Sequence, residues 1–343
     1  MKATGKKFEP PRVRLFSSLG LMLRDMGISA PNVLRRAGLP DDRFARPHEP
    51  VDRATYVAIW NAIEAEAADP LLPLRFGQGV KVETFDPLLF AALSSANLRE
   101  AVERIARYKN LQGMQRLVTT KGAESTRIEV VWPDEIGPTP TSLILTELVF
   151  LVAFCRTATR EEVKPAAVYL RDAAPVAPAF VEFFGCAVEP GAGWDALRFS
   201  DAAMSLAFLT ANASTLAWFE PALRPGLAES AADATMAERV RTALLEVLPG
   251  NRPSVRSVGA RLGHSARTVQ RRLLDEGKTF QSVLDATRRD LADWYLTTTL
   301  LPHTEIAYLL GFEEPNSFHR AYRLWTGMTP EQRRGARLTK PTG

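Results

Sequence analysis

Two short groups of polar side chains have the types and the spacing that allow hydrogen bonds to the edges of DNA bases. Each group lies on a predicted helix, one over 266–274 and the other from about 316 to 325. Their members carry guanidinium, amide, hydroxyl or imidazole groups at positions that the apolar pattern leaves outside a core. In the first helix, Val269, Leu273 and Leu274 are predicted to face that core. The candidate DNA contacts are Ser265, Arg267, Thr268, Gln270 and Arg271 in the first group, and Asn316, Ser317, His319, Arg320 and Arg323 in the second.

The chemistry of both groups suits the recognition of base edges. An arginine can pair with two acceptors of guanine, and a glutamine or an asparagine can pair in the same way with adenine. Ser265 and Asn316 stand at predicted helix N-termini, where unpaired backbone N–H groups attract phosphates. A basic face on one helix is usually only solvated surface. Two such helices, each after a short helix and a glycine, favour a DNA-binding surface.

The predicted elements around the two groups repeat one pattern. Segments 255–274 and 305–324 each indicate a short helix, a glycine turn at Gly263 or Gly311, and a second helix, which is the helix-turn-helix arrangement. A long helix over 280–300 lies between them and spans about 30 Å at 1.5 Å per residue. That length is close to the distance of about 34 Å between successive major grooves. We therefore predict an all-α C-terminal domain over 236–336, with two helix-turn-helix units joined by a long spacer helix.

The distribution of charge agrees with this prediction. Residues 237–343 contain 17 Lys and Arg against 11 Asp and Glu, a surplus of six positive charges. The whole chain carries only +4, so the residues before 237 have a net charge of −2. A basic module joined to a nearly neutral domain is typical of a polyanion-binding segment attached to a sensor or an enzyme.

A run of residues near the C-terminus carries a family resemblance. The matching residues are Ile306, Ala307, Gly311, Phe312, Ser317, Phe318, Arg320, Tyr322, Trp325, Gly327, Thr329, Pro330 and Arg333, with Arg288 and Ala292 on the spacer helix. Segment 255–333 thus resembles the DNA-binding domain of the AraC/XylS family. The resemblance implies a transcription regulator that binds a double-stranded DNA operator and works with RNA polymerase. The family's base-contacting positions fall on the residues proposed above, Ser265 and Arg323 excepted. Pro315 and Gln332 depart from the family pattern.

The residues upstream mix helical and strand patterns. Strands are predicted over 127–132, 166–170 and 196–199, and helices over 141–157 and 178–184. These patterns indicate an α+β N-terminal domain over 12–225, followed by a linker over 226–235 that is rich in small residues. Short motifs over 73–77, 94–108, 183–185 and 198–199 are similar to the ligand-binding domain of an AraC subgroup with ornithine-responsive and fatty-acid-responsive members. The resemblance implies a sensor for a small-molecule effector.

An effector site requires an apolar pocket with a few polar anchors. Aromatic, amide and guanidinium side chains of the N-terminal domain are candidates, although each also suits a core or a surface. The candidate ligand contacts are Tyr56, Trp60, Arg75, Phe76, Phe85, Tyr108, Gln112 and Trp194.

Residue types that carry catalysis are scarce. The four histidines, His48, His264, His303 and His319, have no metal-binding spacing, and no nucleophile or phosphate-loop motif is present. Cys155 and Cys186 suit reduced core thiols better than a disulfide. An amidase-like nucleophile would need a glycine elbow, which Cys155 lacks. We therefore predict no enzyme activity, no cofactor and no metal.

The apolar runs do not suggest a membrane span. The best one, over 143–155, is interrupted by Glu147 and is shorter than the eighteen or so residues that a span requires. We expect a cytoplasmic homodimer without membrane contact. Three hypotheses remain: an effector-controlled regulator, a ligand-independent regulator whose N-terminal domain dimerises or docks a protein, and an enzyme fused to a regulator.

Overall fold

The computed structural model of the chain describes residues 12–13, 15, 19–45, 51–79, 87–112, 115–132, 139–213, 216, 235–248, 252–299 and 301–338. The chain divides into two compact units. The first consists of Met1–Thr84 and Ala96–Phe208, and the second of Phe85–Ser95 and Leu209–Gly343.

Nine helices and seven strands lie among the described residues from 12 to 205. The helices are α1 Leu19–Asp25, α2 Ala30–Arg36, α3 Arg53–Ala67, α4 Leu72–Gly79, α5 Pro87–Leu93, α6 Leu98–Gln112, α7 Thr141–Thr159, α8 Pro178–Phe184 and α9 Asp201–Ser205. The strands are β1 Arg12–Val13, β2 Val51–Asp52, β3 Arg116–Lys121, β4 Ser125–Val131, β5 Ala167–Tyr169, β6 Val188–Glu189 and β7 Ala196–Ser200. A single turn of 3-10 helix covers Arg43–Ala45. All of these except α5 belong to the first unit.

A five-stranded sheet forms one layer of the first unit. Its strand order is β3-β4-β7-β5-β6, and neighbours are antiparallel except for the parallel pair β5 and β6. Along β4, Ile128 and Val130 are buried while Arg127 and Glu129 on the opposite face are partly exposed. This alternation, which has the period of two of a strand, places one face of the sheet in the core and leaves the other polar.

Helix α7 has 19 residues, and most of them are buried. Helix α4 packs closely on it at Gly77, where a β-carbon would stand 2.7 Å from Val149 Cγ1 and 2.8 Å from the Thr146 carbonyl oxygen. Within the described ranges, α7 is long and apolar enough to cross a membrane, with a mean hydropathy of 1.6. The sequence had predicted no such stretch because Glu147 interrupts it. Since 61% of that window is buried, α7 packs as a core helix.

The second unit is helical in the residues that the structure describes. After α5 it continues with α10 Met236–Val247, α11 Val255–Arg261, α12 Ala266–Asp275, α13 Phe280–Thr298, α14 His303–Leu309, α15 Pro315–Thr326 and α16 Pro330–Leu338. Polar side chains begin several of these helices: Thr235 caps α10, Ser254 caps α11 and Thr279 caps α13, each in a reciprocal capping box.

Helix α5 packs with the C-terminal helices although its neighbours along the chain, α4 and α6, belong to the first unit. The Phe90 ring meets Trp294 of α13 edge-on, with 4.2 Å between centroids, and Tyr295 at 5.8 Å. The Thr210 hydroxyl donates to the Leu93 carbonyl oxygen at 2.5 Å. Two separate segments of the chain therefore belong to the second unit. The predicted domain boundaries, 12–225, 226–235 and 236–336, did not include this division. Those boundaries stay a prediction, and the linker except Thr235 lies outside the described residues.

The predicted fold class is confirmed: an α+β N-terminal region with a sheet precedes a helical C-terminal region. The strands β3 and β6 were not predicted, since β3 is polar and exposed and β6 has only two residues. One core assignment was wrong. Leu274 was expected to face inward, but it is 70% exposed because the buried stripe of α12 runs through Val269 and Leu273.

Candidate DNA-binding surface and effector site

Two helix pairs carry the candidate DNA contacts. We call α11 with α12 the first pair and α14 with α15 the second pair. In each, a glycine in the left-handed region turns the chain between the helices, Gly263 at φ +69° and Gly311 at φ +68°. Residues with a β-carbon rarely adopt this conformation. The short helix, sharp turn and second helix form the arrangement that places a recognition helix against DNA.

The first pair is held by local contacts. Ser265 caps α12 by accepting a hydrogen bond from the backbone N–H of Thr268 at 3.1 Å. Gly259 of α11 lies against the start of α12, where a β-carbon would come within 2.9 Å of the His264 carbonyl oxygen and 3.4 Å of Val269 Cγ2. The two helices therefore pack closely, and Val269 and Leu273 are fully buried.

The outer face of α12 carries the predicted contacts of the first group. Arg267, Gln270 and Arg271 are exposed, and Thr268 is half-buried. Ser265 is exposed, and its hydroxyl also lies 2.8 Å from that of Thr268. The structure thus brings all five residues to the first turns of one helix, where two guanidinium groups and an amide are accessible to a ligand.

The second pair is held by long-range contacts. The Arg288 guanidinium of α13 donates to the carbonyl oxygens of Leu310 and Gly311 at 2.8 and 3.0 Å, and it lies 4.4 Å from the centre of the Phe312 ring. Arg288 therefore braces the turn of the second pair from the spacer helix. Helix α15 begins at Pro315 after Glu314, which makes no side-chain cap.

Asp293 of α13 joins the second pair to the last helix. Its carboxylate accepts hydrogen bonds from Arg333 Nη2 at 2.8 Å and Nε at 3.2 Å, and from the hydroxyl of Tyr322. Burial and the Asp293 carboxylate raise the pKa of Tyr322 above its ordinary range. Burial alone would lower the pKa of Arg333, but its bonds to Asp293 outweigh burial and raise it. The carboxylate thus anchors α15 and α16 to the spacer.

The outer face of α15 carries the predicted contacts of the second group. Asn316, Arg320 and Arg323 are exposed, and Arg320 donates to the Ser317 hydroxyl at 3.3 Å. His319 is half-buried, and its Nδ1 lies 3.5 Å from Glu331 of α16. The structure therefore groups four of the five residues on one accessible surface, while the imidazole lies beside the last helix.

Three of the predicted effector contacts lie near one another on α3 and α4. Trp60 is buried, donates from Nε1 to the Ser142 hydroxyl of α7 at 2.9 Å, and meets Phe76 edge-on at 5.2 Å. Burial of the Tyr56 hydroxyl and the nearby Glu147 carboxylate of α7 raise the pKa of Tyr56. Tyr56, Trp60, Phe76, Ser142 and Glu147 thus form an apolar cluster with polar groups, which we call the α3–α7 cluster.

The other predicted effector contacts lie elsewhere. Arg75 is exposed and binds Asp69 at 3.0 Å and the Met26 carbonyl oxygen at 3.0 Å. Trp194 belongs to the polar face of the sheet, where the Arg127 guanidinium stacks on its ring at 3.9 Å. Phe85 and the side chains of Tyr108 and Gln112 lie outside the described residues.

The sequence did not indicate the role of Asp293. It also did not indicate that two α7 residues, Ser142 and Glu147, supply the polar groups of the α3–α7 cluster. Asp293 is one acidic residue on a long amphipathic helix, and its partners are 29 and 40 residues away. Glu147 was noted only as an interruption of an apolar run. The available signal was a carboxylate inside an apolar run, because a charged group is costly to bury.

The thiol of Cys155 does not have the character of a nucleophile. It is fully buried on α7, and this burial raises its pKa above the ordinary range. A thiolate, which is the reactive form, is disfavoured in such a setting.

The fold and the two accessible helix faces define a helix-turn-helix DNA-binding protein with an additional mixed domain. Comparison with known proteins agrees. Residues 27–208 match the arabinose-binding domain of AraC transcription regulators, and residues 258–336 match a helix-turn-helix domain. The chain belongs to the AraC family of transcription regulators, and it is a DNA-binding regulator with an arabinose-binding-like N-terminal domain.

Relatives in this family match over most of the chain. The ornithine utilization regulator of Pseudomonas aeruginosa is 29% identical over 319 residues, covering 92% of this chain and 93% of its own. The regulator VirS of Mycobacterium tuberculosis is 26% identical over 318 residues, covering 91% and 93%. The crystal structure of the regulator CdpR of Pseudomonas aeruginosa is 22% identical, covers 89% and 96%, and has a TM-score of 0.45.

Proposed function

We propose that the chain is an effector-controlled transcription regulator whose two helix pairs both read an operator. Helices α12 and α15 enter neighbouring segments of the major groove, and α13 sets the distance between them. The observation that carries the proposal is the exposure of Arg267, Gln270 and Arg271 on α12 together with Arg320 and Arg323 on α15. Both sets stand on the second helix of a glycine-turned pair, which is the position of a recognition helix.

Substitution of one arginine on each recognition helix tests the DNA-binding proposal. Arg271→Ala and Arg320→Ala are each expected to weaken operator binding by about 1–3 kcal/mol and to relax base preference at one position. Arg239→Ala, on α10, is the control, because it removes a charge of the same kind from a helix outside both pairs. Footprinting and competition with altered operators measure both effects. Unchanged affinity and preference in either variant would place the recognition faces elsewhere.

The α3–α7 cluster is the proposed effector site. Its aromatic rings supply apolar surface, and Tyr56, Ser142 and Glu147 supply polar groups, the combination that small-molecule sites use. The carboxylate of Glu147 suits a cationic group, and a relative is named for ornithine utilization. Ornithine and other amino acids are therefore the first probes, with small acids as the second set.

A thermal-shift screen on the full chain tests effector binding. A ligand that binds only the folded protein raises its melting temperature with concentration. Glu147→Gln and Tyr56→Phe are expected to abolish or weaken that shift, while Arg75→Gln, outside the cluster, is expected to leave it unchanged. The alternative, a regulator whose N-terminal domain only dimerises or docks a protein, predicts no shift with any probe and intact operator binding. Turnover of a probe would indicate an enzyme–regulator fusion instead.

We further propose that α5 transmits the effector signal. Its two ends continue into α4 and α6 of the first unit, while Phe90 packs against Trp294 and Tyr295 in the second. A ligand can shift such an arrangement only if it binds one placement of α5 better than another. Phe90→Leu is therefore expected to reduce the effect of a ligand on operator affinity while leaving ligand binding itself intact. An unchanged effect would assign transmission to the linker over 226–235.

The remaining parts of the proposal concern assembly and location. We propose a cytoplasmic homodimer that binds two operator half-sites and acts on transcription by contacting RNA polymerase. The proposal gives the chain no catalytic step and no cofactor. Sedimentation of the full chain with and without operator DNA measures the oligomeric state.

A further inference from the structure

Three side chains with metal-binding atoms meet at one edge of the second helix pair. His303 begins α14, His319 lies on α15, and Glu331 lies in the first turn of α16. Nδ1 of His303 lies 3.0 Å from Oε1 of Glu331, and Nδ1 of His319 lies 3.5 Å from the same oxygen. One donor atom from each residue falls within 4.8 Å of the other two. We call these residues the His-His-Glu cluster.

We propose that the His-His-Glu cluster binds one divalent transition-metal ion of the zinc class. Imidazole nitrogen and carboxylate oxygen are the ligands that Zn²⁺ takes in proteins, at about 2.0–2.2 Å. In a tetrahedral site of that size, two ligand atoms stand about 3.3 Å apart. The observed separations of 3.0 and 3.5 Å lie on either side of this value. The three groups are thus already spaced as ligands of one ion.

The surroundings of the cluster leave one side of it accessible to an ion and to water. The imidazole of His303 is mostly buried beside Arg334, with 19% of its side chain exposed. Its Nε2 is buried and has no hydrogen-bond partner among the described residues. The Glu331 side chain is 56% exposed, which leaves a fourth position open to water. Arg334 repels a cation, and the Glu331 carboxylate offsets that charge.

A reciprocal cap holds the turn of the chain that contains Glu331. The backbone N–H of Thr329 donates to the Gln332 side chain at 2.8 Å, and that of Gln332 donates to the Thr329 hydroxyl at 3.3 Å. This reciprocal pair caps α16 and orients its first turn, which contains Glu331. A bound ion would therefore join the starts of α14 and α16 to the middle of α15. It would also remove His319 from the set of base contacts and make it a metal ligand.

Metal titration of the full-length, untagged protein tests the proposal. Metal is first removed with a chelator. The wild-type protein is then expected to bind one Zn²⁺ ion per chain that the ligand variants do not bind. Co²⁺ in its place is expected to give the visible absorption of a four-coordinate site. Glu331→Gln and His319→Gln are expected to lower the affinity at least about tenfold. Both side chains are partly exposed, so these variants are expected to fold. His264→Gln, on the first pair, is the matched control and is expected to bind normally.

Two results would overturn the proposal. One is absence of Zn²⁺ binding by the folded wild-type protein. The other is an affinity that is equal in the wild type, Glu331→Gln and His319→Gln, because the ion would then be bound by other residues. Loss of binding in the His264→Gln control together with the cluster variants would equally assign the ion elsewhere.

Discussion

The two helix pairs of the second unit share an arrangement but differ in what holds them. The first pair relies on neighbours in sequence: Ser254 and Ser265 cap its helices, and Gly259 lets them approach. The second pair relies on α13 and α16, through Arg288, Asp293 and Arg333. One proposed recognition helix, α12, is therefore positioned by local contacts, whereas the other, α15, is positioned by the rest of its unit. Five substitutions test this contrast.

Asp293→Ala is expected to have the largest effect. It leaves the Arg333 guanidinium and the Tyr322 hydroxyl without their shared acceptor, which should lower the free energy of unfolding by about 3 kcal/mol. Hydrogen exchange of the full chain, read by mass spectrometry, should show lost protection in α15 and α16 but not in α12. Asp285→Ala, on the same helix, is the control because the Asp285 carboxylate accepts a hydrogen bond from the exposed Gln281 side chain. Equal loss of protection in both helix pairs would contradict the claim that Asp293 supports only the second pair.

Arg288→Ala removes the brace on the second turn. Two hydrogen bonds and the contact with Phe312 are lost, and we expect unfolding to become easier by about 2 kcal/mol. Arg288→Lys should not rescue the protein, because an ammonium group lacks the planar fork that reaches both carbonyl oxygens. In footprints, protection by the second pair should weaken while that by the first persists. Arg289→Ala, which removes the adjacent exposed arginine, serves as the reference; a similar loss there would refute the bracing role.

Gly259→Ala should affect the first pair. Its β-carbon would stand 2.9 Å from the His264 carbonyl oxygen, so α11 must shift away from α12 at a cost of about 1–2 kcal/mol. Gly335→Ala is the matched control, since nothing lies within 4 Å of its β-carbon in α16. That change should be neutral or slightly stabilising. Denaturant midpoints compare the two, and a Gly259→Ala protein as stable as Gly335→Ala would contradict the close packing.

The smallest effect concerns the missing cap of α15. Glu314 stands at the N-cap without a side-chain bond, whereas Ser265 caps α12. Glu314→Ser should therefore stabilise the protein by about 0.5–1 kcal/mol, and Ser265→Ala should destabilise it by about 1 kcal/mol. Thermal melts of both variants measure the opposite signs. A destabilised Glu314→Ser protein would mean that the glutamate supports α15 in another way.

Local signals predicted the helical part well. The caps at Ser254 and Ser265 and the glycine at 263 act within a few residues, so the first pair could be read from the sequence with its exposed Arg267 and Arg271. The start of α14 shows the limit of such signals. The helix predicted from residue 305 begins two residues earlier, at His303, and Pro302 occupies its N-cap position without a side-chain cap.

Local patterns in the sequence were enough to predict the fold class, the two glycine turns and the polar faces of α12 and α15. These depend on periodicity, capping and backbone conformation, which act over one or two helical turns. Only the tertiary structure decided that Asp293 anchors Tyr322 and Arg333, that α5 packs on Trp294, and that His303, His319 and Glu331 meet. These contacts join residues far apart in the chain. Their partners are selected by packing, and no local pattern encodes them.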